Sequence, residues 1–241
     1  MTGSKGVALV TGANRGIGAE LCCELSTAGY EVLGTVRNPS LSEADNHVVS
    51  VATWIALDLS DWDSIRSASA EITRYASSLD VLVNNAGTNV PPASVGDKQT
   101  AAVLGSLEGA SLEAMFRINA IGPLLLTQAL IPLLNRGRKP RVAMLTTERA
   151  SLSGSEHAGK YGYRASKVAL NMFTRVLAAD VHDENVIVLG MDPGWVKTSM
   201  GGLDAPVTAR EAVPDLVSFL LRATMRHSGR IYDRHGVAQS W

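Results

Sequence analysis

Tyr163 and Lys167 stand four residues apart in Tyr163-Arg164-Ala165-Ser166-Lys167, within a segment whose apolar residues recur at three- and four-residue intervals. On a helix that spacing puts both side chains on one face, one turn apart. An unperturbed phenol ionises near pH ~10 and a neighbouring ammonium favours the phenolate, so the pair is suited to proton transfer near physiological pH. The same two residue types also form ordinary surface pairs on helices. A second constellation lies near the start, where Val7–Val10 runs into Thr11-Gly12-Ala13-Asn14-Arg15-Gly16-Ile17-Gly18 and then into a helical pattern. Glycines at those places allow a tight turn and let a pyrophosphate approach backbone N–H groups at the positive end of a helix. The loop points to a bound dinucleotide, and the pair reads either as an acid–base set or as such a surface pair.

The elements that must position these residues alternate along the chain. Short runs of Val, Leu and Ile predict strands near Val7–Thr11, Glu31–Val36, Trp54–Leu57, Val81–Val83, Arg141–Leu145, Val186–Gly190 and Arg230–Tyr232. Between them Gly16–Gly29, Asp61–Ser77, Leu112–Leu134, Tyr163–His182 and Ala209–Leu221 carry the periodicity of amphipathic or buried helices. Buried strands joined by crossover helices form a parallel sheet covered on both faces, an α/β, Rossmann-like doubly wound fold of about seven strands. One domain is expected over residues 1–241, with a cofactor half to about residue 110 and a catalytic and substrate half from about 111. Thr88–Ala110 and Thr198–Thr208, rich in Gly, Pro and Ser, break the pattern. Both follow strand ends, where open parallel sheets bind ligands, and with Thr147–Tyr161 they are the expected pocket loops. Trp195 and Met200 offer an apolar wall.

Composition narrows the classes. With 46% hydrophobic and 19% charged residues in 241, the chain reads as globular. A formal charge of −1 and the absence of a long Lys/Arg run give no attraction to nucleic acid or anionic lipid. Cys22 and Cys23 are adjacent in a helical segment, unsuited to an ordinary disulfide, and no residue set is assigned to a metal. Met1–Gly6 leads into the first strand without an apolar signal or an Arg-rich presequence, so a cytoplasmic location is expected. The uncharged stretch Ile118–Asn135 contains Asn119, Pro123, Gln128 and Pro132 and is read as a buried or interface helix rather than a membrane span.

Four motifs in order, Thr11–Gly18, Asn84-Asn85-Ala86-Gly87, Tyr163–Lys167 and Pro193-Gly194-Trp195-Val196-Lys197-Thr198, closely resemble the short-chain dehydrogenase/reductase family over nearly the whole chain. Gly190–Gly202 and the ending in Trp241 look most like its C-factor and sniffer-type carbonyl reductase branch. The resemblance implies hydride transfer between a nicotinamide and a small carbonyl or alcohol substrate. Tyr163 would be the acid or base, Lys167 would hold the nicotinamide ribose and tune Tyr163, and Asn119 would help hold a water in the proton relay. Gly12, Asn14, Arg15, Gly16, Ile17 and Gly18 would cradle the pyrophosphate. Asp58 and Leu59 would meet the adenine, Asn85, Ala86 and Gly87 the adenosine ribose, and Pro193, Gly194, Val196 and Thr198 the carboxamide end. Family members form homodimers or homotetramers, and a homo-oligomer is expected.

Two departures matter. The family's serine after the fifth strand is missing from Met144-Leu145-Thr146-Thr147-Glu148; Thr147 fits the register best, with Ser151 and Ser153 as substitutes if the loop folds back. Glu148 beside it could raise the tyrosine pKa or lie in solvent. No acid ends the second strand, which reads Val36-Arg37-Asn38, so Arg37 and Arg15 favour the 2′-phosphate of NADP(H) over NAD. The altered serine also leaves open an NADP(H)-binding regulator or a non-redox enzyme on this scaffold. A dehydratase or epimerase using extended substrates is disfavoured by the short C-terminal region.

Overall fold

A computed structural model describes residues 4–39, 50–154 and 157–241. Residues 1–3 of the lead-in to the first strand and 155–156 of the third pocket loop lie outside the described residues. The elements in chain order are β1 Val7–Val10, α1 Gly16–Thr27, β2 Glu31–Val36, β3 Thr53–Ala56, α2 Trp62–Tyr75, β4 Val81–Asn84, α3 Gly109–Phe116, a π-helical turn Arg117–Ile121, α4 Gly122–Leu134, β5 Arg141–Leu145, α5 Tyr161–Asp180, β6 Ile187–Asp192, the two-residue strands β7 Val196–Lys197 and β8 Val207–Thr208, α6 Ala209–Arg222 and β9 Ile231–Asp233. Short 3-10 turns at Glu148–Ala150 and Met225–His227 complete the set.

Seven strands pair in parallel in the order β3-β2-β1-β4-β5-β6-β9. Alternate residues of each strand face opposite sides, and two cores result. Leu9, Leu33, Leu82, Val142, Met144 and Val188 meet α2, α4 and α5 on one face. Ala8, Val10, Val32, Val83, Leu145 and Leu189 meet α1 and α6 on the other. The fold is therefore Rossmann-like and doubly wound, as expected, and the order in which its strands are added reverses between β1 and β4, which opens a crevice at the carboxyl ends of those strands.

The differences from the sequence reading have local causes. β1 stops at Val10 because the chain must bend at Gly12, whose φ of +63° is left-handed. β6 runs two residues further, to Asp192, because β9 pairs with it through Gly190↔Ile231 and Asp192↔Asp233. The Thr88–Ala110 loop yields its last two residues to α3, and Val207–Thr208 of the Thr198–Thr208 loop pairs with β7. Helix Gly109–Leu134 is long and apolar enough to cross a membrane by length and composition alone. Here α3 packs on α5 and α4 on α2, with Leu126, Leu130, Leu133 and Leu134 in the core.

Candidate active site

The glycine-rich loop is held from beneath by the second motif. The Asn85 side-chain amide donates to the carbonyls of Thr11 (2.8 Å) and Gly12 (3.1 Å), and the Ala86 N–H donates to the Thr11 hydroxyl at 3.0 Å. Each glycine is required by a neighbour. A Cβ on Gly12 would lie 3.1 Å from the Ala86 Cα, and one on Gly18 would lie 2.0 Å from the Gly12 carbonyl oxygen. Gly16, with φ of +55°, sits under Thr198, whose Cγ2 would be 3.2 Å from an added Cβ. The loop thus presents bare backbone at the amino end of α1, covered by the segment after β7. Asn14 is exposed at its tip, and Ile17 packs into the core beneath.

The remaining expected cofactor residues surround this loop. Arg37 is exposed at the end of β2 and no hydrogen bond is formed by its guanidinium among the described residues. Arg15 instead donates to the Ser199 hydroxyl at 2.7 Å, linking the glycine-rich loop to the covering segment. Asp58 is partly committed to its own turn, accepting from the Ser60 N–H and hydroxyl, while Leu59 is buried in the core. Pro193 and Gly194 (φ +80°) turn the chain after β6, Val196 is buried, and Thr198 accepts from the Gly201 N–H at 3.0 Å.

Tyr163 and Lys167 emerge from the first turns of α5 beside the ends of β5 and β6. The Lys167 Nζ is buried and donates to the Leu145 carbonyl at 2.6 Å. Gly87 explains how it fits: a Cβ there would lie 3.5 Å from the Lys167 Nζ and 3.1 Å from the Asn119 Oδ1. Burial lowers the Lys167 pKa to about 8, against an opposing pull from the Asp192 carboxylate. Asn119 lies in the π-helical turn, and its amide holds the Thr88 backbone at both ends (2.8 Å each) and donates to Ser166 at 3.0 Å. Its side chain therefore positions the loop after β4 rather than touching Lys167 directly.

The expectation that Lys167 brings the phenol toward neutral pH is corrected here. The Tyr163 pKa is pushed up to about 12, first by burial and then by the negative charge of Asp192; hydrogen bonding with Thr147 and the Arg149 charge pull it partly back. Lys167, whose ammonium donates to the Leu145 carbonyl, is not among the groups that set this shift. Nor is Glu148 the carboxylate that matters: it is exposed, and the buried one is Asp192. Asp192 and Gln239, which reaches it at 3.2 Å, had no assigned role in the sequence. Their only sequence signal is the acid standing directly before Pro193-Gly194.

Alternation along the strand decides among the hydroxyls. Thr146 turns inward and donates to Asn171 at 2.6 Å, so Thr147 points to the opposite side, toward Tyr163. Ser151 and Ser153 donate instead to the Trp241 carbonyl, at 3.2 and 3.0 Å. Exposed apolar side chains cluster on the expected pocket loops: Leu104, Leu152, Met200 and Leu203, with Trp195 beside them. A cavity of about 550 Å³ lies at the opposite end of the sheet, lined by Arg138, Lys139, Arg141 and Arg222. Arg141 donates to the Leu221 carbonyl at the end of α6 at 2.9 Å, Arg222 donates to the Ser218 hydroxyl at 2.9 Å, and Glu184 shares the lining.

Known proteins resemble this chain in sequence and fold. The chain matches the short chain dehydrogenase family over residues 6–206. It is 37% identical to "C-signal" of Myxococcus xanthus over 163 residues, 68% of this chain and 93% of that protein. Among solved structures, the carbonyl reductase Sniffer of D. melanogaster superposes with a TM-score of 0.86 at 26% identity, covering 98% of this chain and 99% of that one. An NADPH-bound carbonyl reductase from chicken fatty liver gives 0.85 at 26% identity, covering 99% and 100%. With its glycine-rich loop, its Asn-Asn-Ala-Gly brace and its Tyr–Lys helix in that common frame, the chain belongs to the short chain dehydrogenase family of oxidoreductases.

Proposed function

We propose that this chain is an NADP(H)-dependent carbonyl reductase, or secondary-alcohol dehydrogenase in reverse, with Tyr163 as the group that moves the proton. The observation that carries this reading is the place of the half-buried Tyr163 phenol, beside Thr147 and one helical turn from buried Lys167, at the strand ends next to the glycine-rich loop. Residues Gly12 to Gly18 would hold the pyrophosphate, with Val196 and Thr198 at the carboxamide end; the bare backbone at Gly12, Gly16 and Gly18 fits such a group. Bound NADPH would supply the hydride. Thr147 would orient the substrate carbonyl oxygen toward Tyr163, whose phenol is protonated at neutral pH and so is ready to donate as the alkoxide forms. Lys167 would hold the ribose hydroxyls and place positive charge near the developing oxyanion. The exposed Leu104, Leu152, Trp195, Met200 and Leu203 support a carbonyl carried on an apolar body.

The test is oxidation of NADPH and of NADH against a panel of ketones, aldehydes and quinones, followed by loss of reduced-nicotinamide absorbance. NADPH-selective turnover is expected. Tight NADPH binding with no turnover on any carbonyl would sink the reductase reading in favour of a regulator or non-redox enzyme. Thr147→Ala should lower kcat by about 100-fold, within the range for losing a positioned hydrogen bond, while Ser151→Ala stays within about threefold. If neither variant slows, the carbonyl is oriented by some other group.

Cofactor choice rests on Arg37, which is exposed where an NAD enzyme of this fold places an acid. A charge-assisted bond to a 2′-phosphate is worth about 1.5–3 kcal/mol, so Arg37→Ala should weaken NADPH by roughly 10- to 100-fold and leave NADH nearly unchanged. Equal losses for both cofactors in a fluorescence titration would show that Arg37 does not read the phosphate.

A further inference from the structure

Asp192 is the last residue of β6, only 3% exposed, and its carboxylate joins three segments that are far apart in the chain. Its Oδ2 accepts from the Glu148 N–H at 2.7 Å, in the turn that begins at Thr147, and from the Gln239 amide at 3.2 Å. Its Oδ1 accepts from the Gly194 N–H at 2.8 Å, in the turn leading to Val196 and Thr198. We propose that Asp192 is a positioning residue for the Tyr163–Lys167 pair: its carboxylate locks the Thr147 turn and the Pro193–Gly194 turn together and stands near both reacting side chains.

This deepens the reductase reading and rests on it for the kinetic consequence, although the charge interaction itself does not. Buried carboxylates with three donors are rigid and hold their charge close to one place. Burial raises the Asp192 pKa above the ordinary carboxylate value, with a smaller push from the Glu148 charge, and the three donors pull it partly back toward the ionised form. The charged groups around the carboxylate are Glu148 and Arg149 from the turn after β5, Tyr163 and Lys167 from α5, and Asp233 and Arg234 from the β9 side. Asp233 is occupied by the His235 and Val237 N–H groups of its own turn. Asp192 acts on both members of the pair, favouring the ammonium of Lys167 and the neutral phenol of Tyr163. Both effects keep the pair in the protonated form that donates during carbonyl reduction.

Removing that charge must move both groups the same way, toward ionisation of Tyr163 and neutralisation of Lys167 at lower pH. The experiment is a carbon-13 titration of the lysine Cε resonances in the full chain, with Lys167 assigned by the peak lost in Lys167→Arg. In Asp192→Asn, Lys167 should titrate lower than the wild-type value of about 8 by roughly half a pH unit or more, and the alkaline limb of carbonyl reduction should move with it. Asp192→Glu, which keeps the charge, should restore most of the titration. If Asp192→Asn does not fold, Asp192→Ser, whose hydroxyl can still accept from Gly194, serves the same measurement. An unchanged Lys167 titration in a folded variant overturns the proposal, whatever happens to kcat. A shifted titration in a protein that reduces no carbonyl would instead remove the reductase reading and leave the place of Asp192 intact.

Discussion

Tyr163→Phe should abolish most carbonyl reduction, with kcat falling by about 100- to 10,000-fold, the range for losing a positioned general acid. NADPH affinity should stay within about threefold, because the phenol is not placed to bear the pyrophosphate and a phenyl ring fills the same space. The reason for so large a loss is that no nearby group among the described residues can substitute. Thr147 has a hydroxyl but an alcohol's acidity, Ser151 and Ser153 are tied to the Trp241 carbonyl, and the Lys167 ammonium is turned to the Leu145 carbonyl. The pH dependence has a definite sign. With the Tyr163 pKa at about 12, the phenol keeps its proton throughout the working range, so the limb that appears should belong to Lys167. Reduction should be steady below about 8 and fall as the ammonium is lost above it. Steady-state rates across pH, with single-turnover measurements to isolate the chemical step, check both statements. A Tyr163→Phe protein that turns over at near wild-type speed would mean the proton comes from elsewhere.

Gly18→Ala should cause the second large loss. The added methyl would lie 2.0 Å from the Gly12 carbonyl oxygen and 2.7 Å from the Asn85 Nδ2, and neither can retreat: the first is backbone, and the second is bonded to Thr11 and Gly12. Overpacking of this kind costs about 1–3 kcal/mol, which lowers Tm by roughly 2–10 °C in a chain of this size. The function suffers more than the fold, because relief of the clash must push the Gly12 carbonyl or the amino end of α1 out of the line that a pyrophosphate needs. NADPH affinity should drop by at least about 100-fold. Gly109→Ala is the matched control, since nothing lies within 4 Å of its added Cβ, and it should bind NADPH normally with Tm unchanged or slightly raised. Thermal melts and a fluorescence titration of both variants decide the matter. Normal NADPH binding by Gly18→Ala would show that this loop is not the pyrophosphate cradle.

Much of this protein could be read along the chain. Strand and helix periods are properties of neighbours in sequence, and so is the demand of Gly12 and Gly16 for left-handed backbone; that is why the seven-stranded architecture and the place of the glycine-rich loop follow from residue order. The spacing of Tyr163 and Lys167 belongs to the same class, since four residues on a helix always share a face. What tertiary structure decided is everything that depends on separations of dozens of residues and on exclusion of water. Thr147 rather than Ser151 meets Tyr163 because Thr146 turns inward to Asn171 and because the later serines are drawn to Trp241, 88 or more positions away. The direction of the Tyr163 shift could not be foreseen either. Spacing places a lysine nearby, but only packing shows that its ammonium points to the Leu145 carbonyl, and that the charge facing the phenol is the buried carboxylate of Asp192. Desolvation and long-range charge are properties of the folded interior, where low dielectric magnifies whichever group topology brings close, and residue order alone does not specify that neighbourhood.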